Sequence, residues 1–272
     1  MANQPSGIGT VFSSFWRYRQ LLLQMIKRDI VGRYRGSFLG LLWSFVNPVL
    51  MLAVYTFVFS IVFQARWGQG SSDKYEFAMV LFAGLIVFNL FSECISRAPG
   101  LILSNVNYVK KVIFPLEILP WVTLGSALFH AAISLAVLLV FLTVIGMAVP
   151  WTVLLLPVVI LPLLLLIMGL SWLLASIGVF VRDIGQFINM IMTVLMFMSP
   201  IFYPASALPE SVRGYLFLNP LTFIIEQARD VVIWGVLPNW SGLAVYSVIA
   251  ILVAWAGLFW FAKTRKGFAD VL

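Results

Sequence analysis

Apolar runs separated by short polar stretches fill most of this chain. Because a helix needs about 20 apolar residues to cross the hydrocarbon core of a bilayer, each long run predicts a membrane-spanning helix. The third and fourth runs exceed this length, whereas the fifth is short and ends at two prolines, Pro200 and Pro204. The pattern predicts an all-α membrane protein with six transmembrane helices, at about residues 38–63, 77–98, 118–147, 151–181, 186–204 and 242–262.

The composition excludes a soluble globular protein. Hydrophobic residues make up 62% of the 272 residues and charged residues 10%, whereas soluble domains are about half apolar and about a quarter charged. The net charge of +7 therefore indicates contact with an anionic membrane surface before it indicates nucleic acid, and no nucleic-acid partner is expected. The single cysteine, Cys94, lies in an apolar run, where a small buried residue is its expected role.

The basic residues predict the orientation of the helices. If the N-terminus is cytoplasmic, 13 of the 17 Lys and Arg residues fall on the cytoplasmic side, as the positive-inside rule requires. Both termini are therefore expected in the cytoplasm. The basic residues left outside are Arg66, Lys74, Arg213 and Arg229.

The segment 13–31 has the pattern of an amphipathic helix that lies in the headgroup region of the membrane. Its basic and amide side chains face away from its apolar stripe. Asp29 interrupts this stripe, seven residues after Leu22, and so predicts a contact with another part of the protein. The apolar stripe holds Phe15, Tyr18, Leu22, Met25 and Ile26, and the opposite stripe holds Arg17, Gln20, Gln24, Lys27 and Arg28.

Two connections are neither plain loops nor spans. The cytoplasmic connection 99–120 predicts a short amphipathic helix along the membrane face. The outer connection 205–241 is too charged to span, at Glu226, Arg229 and Asp230. Together with the proline-broken end of the fifth run, it predicts one or two half-helices that dip into the outer leaflet. Irregular backbone at that depth requires protein or a water-lined cavity around it, so this region indicates a gated pathway.

Catalytic and nucleotide-binding motifs are missing from the sequence. It contains no Gly-Lys pair and therefore no phosphate-binding loop of the GxxxxGK[ST] type. The only histidine, His130, lies within the third span, where a hydrogen bond between helices is its usual role. Glu93 near the inner end of the second span has Arg97 four residues later, which favours a local ion pair. A carboxylate inside a membrane is nonetheless a functional candidate.

Three motifs resemble the permease subunits of ABC transporters that export O-antigen, capsule or teichoic acid. They are "RDIVGRYRGSFLGLLWSFVNP" (28–48), "NVNYVKKVIFPLEILP" (105–120) and "MSPIFYP" (198–204). The resemblance implies a homodimer with twelve spans, two copies of a separate cytoplasmic ATPase, and a multi-pass position in the inner membrane. It also implies a polyprenyl-pyrophosphate-linked polysaccharide as substrate, O-antigen first. The chain itself would be a transport subunit without catalytic residues, metal or cofactor, because the ATPase would bind ATP and magnesium.

The resemblance also divides the chain. Residues 1–37 would form the cytoplasmic N-terminus with its interface helix, residues 38–262 the six-span domain, and residues 263–272 a cytoplasmic tail. Within the six-span domain, residues 105–117 resemble a coupling helix that sits in a cleft of the ATPase, and residues 205–238 resemble outer re-entrant gate helices. The residues expected to couple to the ATPase are Asn105, Lys110, Lys111, Phe114 and Glu117.

Arg28, Arg33 and Arg35 are the residues expected to capture the pyrophosphate, because guanidinium groups match phosphate oxygens. The alternative is that these arginines only enforce topology and bind ordinary anionic lipid. Glycines at every fourth position, Gly32, Gly36 and Gly40, would permit a turn into the membrane and close approach of helices.

Aromatic side chains are expected to line the channel, because sugar faces slide over aromatic rings without fixed hydrogen bonds. In the family that the chain resembles, the first and fifth spans border the channel. The alternative for each ring is lipid-facing packing or an interfacial belt. The candidate channel residues are Trp43, Tyr55, Phe59, Phe197, Phe202 and Tyr203.

Three other functions remain open at this stage. An ABC permease that exports a small molecule or drug would have a similar sequence pattern. A membrane enzyme that acts on lipid-linked glycans would need grouped acid and base residues, whereas Glu93, His130 and Glu226 are scattered in sequence. A passive channel would not depend on an ATPase.

Overall fold

The structure is a computed structural model that describes residues 16–64, 67, 75–110, 114–216 and 218–272. All regular secondary structure in these residues is helical. The helices are α1 (Arg19–Arg33), α2 (Trp43–Tyr55), α3 (Glu76–Arg97), α4 (Val106–Lys110), α5 (Leu119–Val144), α6 (Leu156–Phe180), α7 (Ile184–Met198), α8 (Glu210–Leu216), α9 (Pro220–Arg229), α10 (Trp240–Thr264) and α11 (Phe268–Val271).

Five helical stretches of the described residues are long and apolar enough to cross a membrane. A sixth apolar helix, α7, has 15 residues. The fifth predicted run therefore ends earlier than expected, because Ser199 is extended and Pro200 cannot continue the helix. The prediction of an all-α membrane protein is confirmed. The five long stretches are Gly40–Val62, Glu76–Gly100, Leu116–Val144, Trp151–Phe180 and Trp240–Val271.

Helix α3 is the centre of the fold. In its most apolar stretch 83% of residues are buried, compared with 11% for the span that contains α2. It packs against α5, α6, α7 and α9. Helix α3 therefore connects both early and late elements of the chain.

Helix α1 packs against α5, and its position in the headgroup region of a membrane stays a prediction. Its apolar stripe faces inward, with Leu22 and Met25 buried. A Cβ atom on Gly125 would stand 2.4 Å from Cδ1 of Ile26, so α5 has a glycine where α1 approaches most closely. Phe15, the first residue of the predicted stripe, lies outside the described residues.

The turn between α1 and α2 requires glycine at two positions. Gly36 and Gly40 have φ angles of 85° and 52°, which residues with a side chain rarely adopt. The predicted turn is therefore confirmed. Within the described residues, no atom lies within 4 Å of a Cβ built on Gly32, Gly36 or Gly40, so these glycines do not bring helices together inside this chain.

Close helix packing occurs instead between α6 and α10. A Cβ on Gly257 would lie 2.0 Å from the carbonyl oxygen of Gly169, and only glycine at both positions allows this separation. The two helices form the most extensive helix pair of the structure.

Helices α8 and α9 are short and follow the break after α7. Asn219 caps α9, because its side chain accepts a hydrogen bond from the backbone N–H of Leu221. Helix α9 packs against α3 and α6, and a π-helical turn, Asp230–Trp234, continues it to Gly235.

Candidate functional site

A network of charged side chains joins α1 to the C-terminal end of α3. Arg97 donates two hydrogen bonds to Asp29, at 3.0 and 2.7 Å, from Nη1 and Nη2. This pair explains why a carboxylate interrupts the apolar stripe of α1. The contact predicted for Asp29 is confirmed.

The same network includes Arg33, in the last turn of α1. Its guanidinium is ion-paired with Glu93 of α3. The local pair of Glu93 with Arg97 also exists but is longer, at 3.6 Å. Glu93 therefore has two arginine neighbours, and the one on the interface helix is the closer.

His130 of α5 completes the network. Its Nδ1 lies 3.3 Å from Arg33 Nη1 and 3.4 Å from Glu93 Oε2, and its Nε2 lies 3.3 Å from the hydroxyl of Tyr34. If Nε2 carries the proton, it donates to Tyr34 and Nδ1 accepts from Arg33. If Nδ1 carries the proton, it donates to Glu93 and Nε2 accepts from Tyr34. Both tautomers satisfy the ring, and the expected inter-helix hydrogen bond of His130 is confirmed.

The network is nearly neutral and partly open to solvent. Two carboxylates face two guanidinium groups. Burial alone raises the pKa of the Asp29 carboxyl, but the hydrogen bonds and the charge of Arg97 outweigh it and hold that pKa below its usual range. The Arg33 side chain is 37% exposed and that of Glu93 is 19% exposed, so Arg33 is the part of this pair that an incoming group reaches first.

The three arginines predicted to capture pyrophosphate differ in their surroundings. Arg28 donates to the hydroxyl of Tyr108 at 3.1 Å, and Arg33 is paired with Glu93. Arg35 is exposed, and no side chain of the described residues pairs with it. Their assignment to substrate stays a prediction.

The residues predicted to couple to an ATPase lie beside the C-terminal end of the chain. Phe114 and Glu117 are buried, at 8% exposure each. Arg265 donates to Oε2 of Glu117 at 2.8 Å and to the carbonyl oxygen of Phe114 at 3.2 Å. In this chain Phe114 and Glu117 therefore hold the connection in place and do not present an open surface.

The remaining coupling candidates lie just before this point. Asn105 donates to the carbonyl oxygen of Leu101 at 2.9 Å. The backbone of Lys110 ends α4, and Lys111 lies outside the described residues. Tyr108 stacks on Phe114 with ring centroids 4.4 Å apart. The predicted short helix of this connection is confirmed at Val106–Lys110, and its role stays a prediction.

Five of the six candidate channel aromatics form two groups, one at the end of α2 and one at the end of α7. Tyr55 and Phe59 lie near each other, with centroids 6.5 Å apart, and Phe59 stacks on Phe77 of α3 at 5.2 Å. Phe197 stacks on Phe202 at 5.8 Å, and Tyr203 donates to the carbonyl oxygen of Phe197. Trp43 begins α2 and is half-buried. All six retain some exposure, and their role in a channel stays a prediction.

A second arginine site lies at the opposite end of α3. Arg229, at the end of α9, is 4% exposed. It donates to the carbonyl oxygens of Val80, Pro200 and Ile201, at 2.8, 2.6 and 3.1 Å. Its guanidinium also lies over the ring of Trp67, at 4.5 Å from the centroid.

Sequence reasoning treated Arg229 only as an outer charge and missed its burial. A signal was present, because Leu221, Ile225 and Arg229 follow at intervals of four residues and so share one helix face. Arg265 gave no such signal, since it lies 148 residues from Glu117. Sequence separation also hid the contact of Glu93 with His130. These two residues are scattered in sequence, but the fold brings their side chains together.

A family model described as ABC-2 type transporter matches residues 20–233. The chain therefore belongs to the ABC-2 type transporter family, whose members are membrane transport subunits and not enzymes. It is 30% identical to the O-antigen export system permease protein RfbA of Myxococcus xanthus, over 94% of this chain and 96% of that protein. The protein of the same name from Klebsiella pneumoniae is 26% identical, over 93% and 95%. The polysialic acid transport protein KpsM of Escherichia coli is 24% identical, over 85% and 88%.

Proposed function

We propose that this chain is the membrane permease subunit of an ATP-driven exporter of polysaccharide. The observation that carries the proposal is its full-length similarity to a permease named for O-antigen export, at 30% identity over 94% of this chain. Further relatives are named for O-antigen export and polysialic acid transport. The alternative of a small-molecule exporter has no comparable support.

The assembly that we propose contains two copies of this chain and two copies of a cytoplasmic ATPase that binds ATP and magnesium. Each copy crosses the inner membrane six times, with α7 as the fifth span and both termini in the cytoplasm. The positive-inside distribution of Lys and Arg supports this orientation. The proposal assigns ATP binding to the ATPase and not to this chain.

The substrate that we propose is a polysaccharide linked to polyprenyl pyrophosphate, with O-antigen as the first candidate. Its charged headgroup would lie at the cytoplasmic membrane face, beside the last turn of α1. Support comes from Arg35, which is exposed, and from Arg33, whose guanidinium is partly exposed. Arginine matches phosphate oxygens in two-point geometry, as a lysine does not.

The proposed division of labour follows from these positions. The connection around α4 transmits motion from the ATPase, the two aromatic groups border the channel, and α8 with α9 forms the outer gate. Arg265 supports the coupling role by fixing the connection through Glu117 and Phe114. Exposure of Phe197 and half-exposure of Tyr55 support the channel role, since a second copy of the chain would face them.

The test is made in a strain from which the gene for this chain has been deleted. Surface polysaccharide is quantified together with polyprenyl-linked glycan that remains inside the cell. We expect loss of surface polysaccharide and internal accumulation of lipid-linked glycan, both reversed by the wild-type gene. Normal surface polysaccharide without internal accumulation, in a strain without a second exporter, would contradict the proposal.

A further inference from the structure

The inference concerns Glu93, and it rests on the proposed function. An arginine at the cytoplasmic face of a membrane meets ordinary anionic lipid in large excess over any lipid-linked glycan. An unpaired Arg33 would therefore be occupied by ordinary lipid most of the time. In the structure it is occupied by a carboxylate of the protein itself, Glu93.

We propose that Glu93 is a specificity-determining residue that keeps ordinary anionic lipid off Arg33 and yields to a pyrophosphate headgroup. Specificity is a difference between two affinities, and it is raised by weakening the wrong ligand as much as by binding the right one. A singly charged phosphodiester that displaces Glu93 exchanges one negative charge for another. It gains little, because the carboxylate is tethered beside Arg33 and loses no translational freedom on binding there.

A pyrophosphate diester carries two negative charges and more acceptor oxygens, so it can bind Arg33 and the exposed Arg35 together. No carboxylate of the described residues pairs with Arg35. The second arginine gives the doubly charged headgroup a contact that Glu93 cannot replace. The headgroup thereby overcomes the tethered carboxylate where a single charge does not.

The surroundings of Glu93 make its displacement inexpensive in free energy. After it leaves Arg33, Oε1 still has Arg97 Nη1 at 3.6 Å, and Oε2 still has His130 Nδ1 at 3.4 Å. His130 can donate to Glu93 through Nδ1 once that nitrogen no longer faces Arg33, and Nε2 then accepts from Tyr34. No buried charge is left without a partner in either state, which is the condition for a low-cost exchange.

The experiment measures lipid binding by the complete transporter in nanodiscs of zwitterionic lipid. The probes are undecaprenyl pyrophosphate and undecaprenyl monophosphate, which share a tail and differ by one phosphate group, with phosphatidylglycerol, a singly charged phosphodiester, as competitor. The variant is Glu93→Gln, which keeps the shape and the hydrogen-bond acceptor but removes the charge. We expect its discrimination between the pyrophosphate and phosphatidylglycerol to fall by roughly tenfold, mainly through tighter binding of phosphatidylglycerol.

Two further variants keep the test decisive. Asp29→Asn removes an equal charge from the same network, but Asp29 is hydrogen-bonded to Arg97 and is only a more distant charge for Arg33, so discrimination should stay close to that of the wild type. In an Arg33→Gln background, Glu93→Gln should change nothing, because the carboxylate acts through that arginine. Unchanged discrimination in Glu93→Gln would overturn the proposal, as would an equal loss in Asp29→Asn, which would assign the effect to net charge.

Failure of this inference can be distinguished from failure of the proposed function. If Glu93→Gln leaves discrimination unchanged while the deletion strain still loses surface polysaccharide, the export function stands and the role of Glu93 is rejected. If the wild-type transporter binds neither polyprenyl lipid and the deletion strain exports normally, the proposed function itself is rejected.

Discussion

The two ends of α3 hold arginine in opposite ways. At its C-terminal end, Arg33 and Arg97 both face Glu93, a carboxylate with more than one basic neighbour. At its N-terminal end, Arg229 donates its hydrogen bonds to three backbone carbonyl oxygens and lies over the ring of Trp67. Side-chain carboxylates can turn to another partner, whereas backbone carbonyls are fixed by the helices that carry them. We infer that the C-terminal end is built for exchange of partners and the N-terminal end is a fixed joint between α3, α9 and the end of α7.

The largest effect is expected from Arg229→Leu. The substitution removes the donors of three hydrogen bonds and leaves buried carbonyl oxygens unsatisfied, which should lower the free energy of unfolding by about 3–5 kcal/mol. The measurement is the yield of inserted protein and the thermal midpoint of the purified transporter. Arg182→Leu, at an exposed arginine, is the control. Equal thermal midpoints for the two variants would show that the joint is not needed for stability.

Gly84→Ala tests the same joint without replacing its arginine. A Cβ at this position would lie 2.6 Å from Nη2 of Arg229, whose guanidinium is held in place by three hydrogen bonds. We expect a loss of about 1–3 kcal/mol in the free energy of unfolding, although alanine favours a helix more than glycine does. The control is Gly100→Ala, because no atom of the described residues lies within 4 Å of that Cβ. A gain in stability at Gly84 would contradict the close packing.

The pair of Glu117 and Arg265 tests whether charge pairing transmits motion through the connection that holds Phe114 and Glu117. Glu117→Lys and Arg265→Glu should each separate ATP hydrolysis from export, because each puts like charges where the native pair lies 2.8 Å apart. The double variant restores opposite charges and should recover export, with a coupling free energy of about 1–3 kcal/mol. ATPase rate and surface polysaccharide are measured together. No recovery of export in the double variant would reject a role for the pair in coupling. Phe114→Ala should also separate ATP hydrolysis from export. If hydrolysis and export stay linked in that variant, a coupling role for Phe114 is rejected.

The smallest effect is expected from Asp29→Asn. The exposed fractions of the Asp29 and Arg97 side chains are 25% and 34%, so the pair should contribute about 1 kcal/mol or less. Because Arg97 lowers the pKa of Asp29 in the folded protein, this contribution is complete above the pKa of the unfolded chain and is lost as pH falls through the lower folded value. The thermal midpoint of the wild type should therefore drop more on acidification than that of the variant. An equal drop of the thermal midpoint on acidification in the wild type and the variant would contradict the pairing of Asp29 with Arg97.

The sequence predicted the spans well because hydrophobic length is a local property. It also predicted the contact of Asp29, since a single carboxylate on an apolar stripe requires a partner. It did not predict which partner, because Arg97 lies 68 residues away. The end of the fifth predicted run was placed too late, since the apolar run continues beyond Ser199 although the backbone does not remain helical.

The burial of Phe114 and Glu117 also could not be predicted from the sequence. Both residues belong to a motif that resembles a coupling helix, and such a motif suggests an exposed surface. Their partner Arg265 follows the end of α10, and the fold alone brings it beside Phe114 and Glu117. The charge network around Glu93 was missed for the same reason, because α1, α3 and α5 meet only in the folded chain.

The measurement that tests the account most directly is export by a double variant, Arg33→Gln with Arg35→Gln, in the deletion strain. The matched control is Arg17→Gln with Arg19→Gln, which removes the same charge from exposed positions near the start of α1. With equal amounts of protein in the membrane, we predict that the first pair loses surface polysaccharide and accumulates lipid-linked glycan inside the cell, whereas the control exports normally. Normal export by the Arg33 and Arg35 variant would contradict the account.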